Sequence, residues 1–194
     1  MFAVQRLATL FLAASLVSTG FAATVVQGVG NFQKVDEHVY RGAQPSAEGF
    51  RNLSKLGIKT VIDLREPGGR SEWEQRVVSS AGMRYVSVPM RGMATPSNES
   101  MIKVLGLMED ANSGPVFVHC RRGADRTGGV IACYRVEHDK WKSDRALAEA
   151  RAMGMRWFEF AIQNYVRRYQ PRDLAALAAK SLDASATVPA AIKP

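Results

Sequence analysis

Two rhythms of apolar and polar residues alternate along this 194-residue chain. The runs "KTVIDL" (59–64), "RYVSVP" (84–89) and "PVFVH" (115–119) are short and rich in β-branched residues, which predicts strands. The third is apolar throughout, which predicts burial on both faces. "FQKVDEHVYRG" (32–42) reads as two short strands or a hairpin around Asp36–Glu37. The segments between carry helical spacing with recognisable ends. Ser46 caps a predicted helix through Leu56 that Gly57 stops, Ser71 caps one to about Ala81, and Ser97 starts one to about Ala111. From Thr127 the spacing is helical and mostly apolar, so that helix is expected to be central. Ser143 caps another, "FEFAIQNYVRRY" (158–169) is amphipathic, and Pro171 and Asp173 suit the first turn of a short last helix. Residues 23–31 read as a flexible lead-in, and 171–194 as that short helix followed by an Ala/Pro-rich mobile tail. Strands alternating with helices predict one α/β domain over residues 32–170. Its central, mainly parallel sheet should have about four to five strands flanked by helices. In such a sheet, chemistry is expected where strands end and helices begin.

Charge narrows the partners. Twenty-six Lys and Arg oppose eighteen Asp and Glu, giving +8, which favours anionic partners. No basic helix has base-reading spacing and no strand interleaves aromatic with basic residues, so nucleic acid is not the expected partner. The first residues, "MFAVQRLATLFLAASLVSTGFA", place Arg6 before an uncharged apolar run and small residues, the pattern of a signal peptide (1–22) cut after Ala22. The run at 7–17 is shorter than the roughly 20 residues of a membrane span. The expectation is an exported protein, periplasmic in a Gram-negative source, with no stable membrane insertion after cleavage.

Candidate chemistry sits in "VHCRRGADRTGG" (118–129), between the buried strand and the central helix. Gly123 permits a tight turn. A tight loop entering a helix can turn successive N–H groups inward, and such a nest binds an anion. Arg126 adds a planar fork for two oxygens of one phosphate. The same field would stabilise a thiolate on Cys120, lowering its pKa below the usual value of about 8.5, and a thiolate facing a phosphoryl group is a nucleophile. Thr127 could hydrogen-bond the sulfur as it leaves, and His119 buttresses the loop. The nucleotide-binding pattern Gly-x4-Gly-Lys-Ser/Thr is absent.

"HCRRGADRTG" resembles the signature of cysteine-dependent protein tyrosine and dual-specificity phosphatases. "VYRGAQP", "LGIKTVIDLR" and "GPVFVHC" are similar to the small atypical dual-specificity group and its exported bacterial relatives, so the resemblance covers about residues 32–169. It implies that fold, with a phosphatase-type phosphate-binding loop, and an enzyme without cofactor or metal. It implies that Cys120 attacks phosphorus, Arg126 holds the equatorial oxygens, Thr127 aids release, and the amides from Arg121 through Gly123, Ala124 and Asp125 to Arg126 complete the cradle. The expected substrates are phosphotyrosine proteins, with phosphoserine and phosphothreonine in a shallow cleft. Inositol polyphosphates or phosphoinositides are the alternative, and a non-catalytic phosphate-binding module is a further one. Sulfur transfer or arsenate reduction fits the Arg126–Thr127 ending less well.

One departure matters. The loop "PMRGMATP" (89–96) has no acid to protonate a leaving oxygen. Asp125 is expected to supply that proton, since a dianionic ligand beside it would raise its pKa, and a hydrogen bond that stiffens the loop is its alternative role; Glu99 is the second candidate. Arg121 and Arg122 are expected to spread outward as a basic mouth that Arg91 could join, and Met90 and Met93 to pack a substrate ring or fill the core. Arg41 and Arg65 read as structural ion-pair partners, and Asp63 as a hydrogen-bond anchor for a nearby loop. Cys133 lies about 9 Å along the helix axis from Thr127, beyond the roughly 7 Å reach of a disulfide. Core filler is its expected role, and a redox lock with Cys120 the alternative. Oligomeric state has no signal in the sequence.

Overall fold

The computed structural model describes residues 25–172, so the predicted signal segment and everything from Asp173 onward lie outside the described residues. The strands are β1 (Gln33–Lys34), β2 (Val39–Ala43), β3 (Thr60–Asp63), β4 (Arg84–Ser87) and β5 (Val116–Cys120). The helices are α1 (Ala47–Lys55), α2 (Gly69–Ser80), α3 (Asn98–Glu109), α4 (Asp125–Glu137), α5 (Ser143–Ala152) and α6 (Phe160–Arg168). The sheet order is β1-β2-β5-β3-β4, parallel except for the β1–β2 hairpin. This is the predicted α/β domain. Asp36 makes the hairpin by accepting the amides of His38 and Val39 at 2.7 Å.

β5 runs through the middle of the sheet, paired on both edges, and alternate residues serve two cores. Val116, Val118 and Cys120 join the cluster with Leu105, Ile131 and Leu147 on the α3–α6 side. Phe117 joins Phe50, Leu53 and Val78 on the α1–α2 side. Period-two alternation with both faces covered explains the unbroken apolar run. α4 is buried almost all round. Its Gly129 lets Ile162 of α6 approach so closely that a Cβ would lie 2.2 Å from that side chain.

The structure moves several predicted boundaries. Ser46 and Ser97 are N-caps, accepting the amides of Gly49 and Ser100 at 3.1 Å. Ser71 is not: α2 begins two residues earlier after Gly68, whose carbonyl takes the Ser71 amide. Ser143 is already helical, following an extended Lys142. α4 begins at Asp125, not Thr127, so Asp125 and Arg126 sit in its first turn. Residues 25–31, expected as a flexible lead-in, are packed instead. Val26 and Val29 enter the smaller core, and the Gly28 and Gly30 carbonyls accept the amides of Ser46 and Ala43. No helix among the described residues is long and apolar enough to cross a membrane.

Candidate active site

Residues 120–127 form the turn from β5 into α4, and their backbone is oriented from outside. A trans peptide points its C=O and N–H in opposite directions, so pinning a carbonyl outward turns the next amide inward. Three consecutive carbonyls are pinned. Arg121 O accepts from Gln44 N at 3.4 Å. Arg122 O accepts from Asn31 Nδ2 at 3.4 Å. Gly123 O accepts from Asn31 Nδ2 at 3.1 Å and from Arg41 Nη2 at 2.7 Å. The amides of Arg122, Gly123 and Ala124 are therefore directed into the loop, where the first-turn amides of α4 add to them. This is the predicted nest. Gly123 has φ +68°, and a Cβ there would fall 2.3 Å from Gly42 C and 2.4 Å from Ala43 N. The loop lies flat on β2 at this point, and only glycine fits.

Asn31, Arg41 and Gln44 are the functional residues that sequence reasoning missed. Asn31 was hidden in the supposed lead-in, and it also holds Met153 O at 3.1 Å with φ +50°. Arg41, expected in an ion pair, has no acidic partner among the described residues. It is fully buried beneath the loop, and its Nε and Nη1 are without a hydrogen bond among the described residues. Burial brings its pKa down to about 10, while Glu149 and a negative charge on Cys120 favour its charged form. At neutral pH Arg41 is a cation under the nest. The one clue in the sequence was a charge at an inward position of a strand.

Cys120, Arg126, Thr127 and His119 all lie at the junction of β5 and α4. Cys120 ends β5 and is buried, with a free thiol. Arg126 Nη1 donates to Met90 O at 3.2 Å and Leu64 O at 3.4 Å, so the loops after β4 and β3 aim its guanidinium. The Thr127 hydroxyl is buried and unpartnered among the described residues, which leaves it free for the sulfur. His119 is a buttress. Its Nε2 lies 2.7 Å from Glu74 Oε1 and its Nδ1 3.4 Å from Cys120 O.

Glu74 links this support to a buried cluster. Arg65 Nη2 donates to both Glu74 and Asp63, and Asp63 also accepts from Arg65 Nε, Arg65 N and Tyr85 Oη. Burial alone would push the Asp63 carboxyl up. The Arg65 guanidinium, the nearby His119 ring and the Arg65 amide hold it below its ordinary value. Asp63, Glu74 and His119 stand close enough to hold a metal ion, but the Arg65 guanidinium already lies against both carboxylates.

Asp125, the expected proton donor, is held by basic partners. Its carboxylate accepts from Arg122 Nη1 at 3.0 Å, Arg156 Nη2 at 2.9 Å and Arg156 N at 3.0 Å. Two cations and an amide hold it against the α5–α6 loop, and this is the geometry of a staple. Arg122 is correspondingly folded back onto Asp125 and Gly154 O, not spread outward. Glu99 is exposed in the first turn of α3. Arg91 and Arg121 are exposed. Met90 is buried in the core and Met93 is exposed on the loop after β4. Cys133 is core filler: it is a free thiol on α4, and burial pushes its pKa well above the ordinary range. A cavity of about 320 Å³ opens beside Arg126, with Arg121, Gln44, Arg70 and Ser71 in its walls.

The chain is similar to several known proteins. A dual specificity protein phosphatase, TpbA of Pseudomonas aeruginosa, is 30% identical over 124 residues, covering 64% of this chain and 55% of its own. Inositol diphosphatase DSP5 of Arabidopsis thaliana is 26% identical over 132 residues, covering 66% and 64%. The chain thus spans a little over half to just under two thirds of the length of these relatives. The solved Siw14 catalytic core superposes with a TM-score of 0.69 at 23% identity, over 82% of this chain and 96% of that one, and so shares the fold. The family model described as "DSP-PTPase phosphatase fused to NAD+ Kinase" matches residues 22–168, and the chain belongs to this dual-specificity-type phosphatase family.

Proposed function

We propose that this protein hydrolyses phosphomonoesters through a phosphocysteine on Cys120. The observation that carries this reading is the set of pinned carbonyls at Arg121, Arg122 and Gly123, which turns the following amides toward one point. A phosphoryl group seated there meets the Cys120 sulfur at the floor and Arg126 at the rim. The thiolate attacks phosphorus and a sulfur–phosphorus bond forms. The ester P–O bond breaks, and the leaving oxygen takes a proton from solvent water. Water then attacks the phosphocysteine, inorganic phosphate leaves, and sulfur recovers its electron pair as a thiolate with the Thr127 hydroxyl donating to it.

The first substrate class is phosphotyrosine protein, in keeping with the relative called a dual specificity protein phosphatase. Inositol phosphates are the second reading, favoured by the relative called an inositol diphosphatase and by the arginines beside Arg126. The apolar N-terminal segment adds export to this reading. The test is hydrolysis of p-nitrophenyl phosphate, phosphotyrosine peptides and inositol hexakisphosphate by wild type and Cys120→Ser. Turnover by wild type and none by the variant is expected. Equal turnover by both proteins would overturn the phosphocysteine route, and no hydrolysis of any of the three would leave only the phosphate-binding module.

A further inference from the structure

We infer that an arginine-lined groove running from the catalytic loop along α2 docks the acidic flank of a phosphorylated polypeptide. This rests on the phosphoprotein reading above and names its substrate class. Three cavities lie end to end. The first, of about 320 Å³, has Arg126, Arg121, Arg70 and Gln44 in its walls. The second, about 500 Å³, shares Gln44, Arg70 and Arg121 with it and reaches Trp73. The third, about 430 Å³, shares Trp73 and continues between Arg51 of α1 and Arg76 of α2. Arg70, Trp73 and Arg76 are three residues apart in succession, so they form one stripe along α2.

Charge complementarity names the occupant. Arg51, Arg70, Arg76 and Arg121 are exposed and take part in no ion pair among the described residues, unlike Arg65, Arg122, Arg135 and Arg156. One acid, Glu66, is in the walls of the first cavity, and none is in the walls of the other two. Length favours a peptide over a compact polyanion. Arg70 and Arg76 are about 9 Å apart along the helix axis, which three residues of extended chain cover at about 3.3 Å each. An inositol phosphate seated at Arg126 would fill the first cavity, whereas a peptide continues past Trp73. Trp73 lies tilted against the buried Phe50, with ring centroids 6.4 Å apart, and is 37% exposed, so it offers a fixed apolar face midway.

The test compares phosphotyrosine peptides carrying three aspartates on the N-terminal side, three on the C-terminal side, or serines in their place. Wild type and the double variant Arg51→Glu, Arg76→Glu are assayed, with p-nitrophenyl phosphate as control. One acidic peptide should exceed the serine peptide in kcat/KM by about tenfold in wild type, a gain that 0.5 M salt removes. The double variant should lose that preference and keep its p-nitrophenyl phosphate rate, a control that also reports folding. Equal kcat/KM on all three peptides would overturn the groove alone. A wild type that hydrolyses p-nitrophenyl phosphate but no phosphopeptide would overturn the phosphoprotein reading and the groove with it. An inositol hexakisphosphate block of p-nitrophenyl phosphate hydrolysis that the double variant weakens would also overturn it, since a compact anion would then occupy the far end.

Discussion

Arg41 shows how one residue decides the chemistry of others it does not face. It bonds Gly123 O, so its charge acts through a peptide plane, and it is a buried cation coupled electrostatically to Cys120. Replacing it by methionine keeps the bulk and removes both effects. Arg41→Met should slow p-nitrophenyl phosphate turnover at least a hundredfold and slow alkylation of Cys120 by iodoacetamide. Arg41→Lys should restore part of the alkylation rate, since charge returns without the fork. An alkylation rate unchanged in the methionine variant would show that Arg41 only fills space. Asp125 supports a prediction of the opposite kind. Arg122 and Arg156 both donate to its carboxylate, and a staple so held would keep geometry and move no proton. Asp125→Asn should therefore lower kcat/KM by a similar factor for aryl esters with good leaving groups and for alkyl esters with poor ones. A loss confined to the alkyl esters would restore it as the general acid.

Among the elements, the β3–α2–β5 junction ties stability to the site. Asp63 ends β3, Glu74 comes from α2 and His119 from β5, with Arg65 among them. All four are buried, so removing one charge strands the others, at a cost of about 3–5 kcal/mol for a broken buried pair. Asp63→Asn should show that loss in urea unfolding. The Asp63 pKa is lower folded than unfolded. Its contribution is therefore present above the unfolded carboxyl value of about 3.9 and is lost as pH falls through the lower folded value. Wild type should lose stability across that acid range, and Asp63→Asn should lose less there. Parallel pH profiles would contradict the assignment.

Across the whole molecule, what the sequence revealed depended on distance along the chain. The strands, the central helix and the Cys120–Thr127 loop were legible because periodicity and short motifs are local. Asn31, Arg41 and Gln44 were not, since they meet the loop from about eighty to ninety residues away and only the β2–β5 pairing brings them there. The Arg156 partner of Asp125 was hidden for the same reason: it arrives on the α5–α6 connection. Serines at 71 and 143 looked like caps until neighbouring glycine and lysine residues took the position. The groove along α2 was hidden in a polar stretch, "EPGGRSEWEQR", with no periodic signal of its own. The central claim is that all these parts converge on one sulfur–phosphorus bond. Rapid acid quenching of wild type mixed with p-nitrophenyl phosphate, followed by peptide mass spectrometry, reads it directly. One added phosphoryl group on the peptide containing Cys120, absent from Cys120→Ser, is the predicted result. Steady turnover with no phosphoryl group ever found on that peptide would contradict the account.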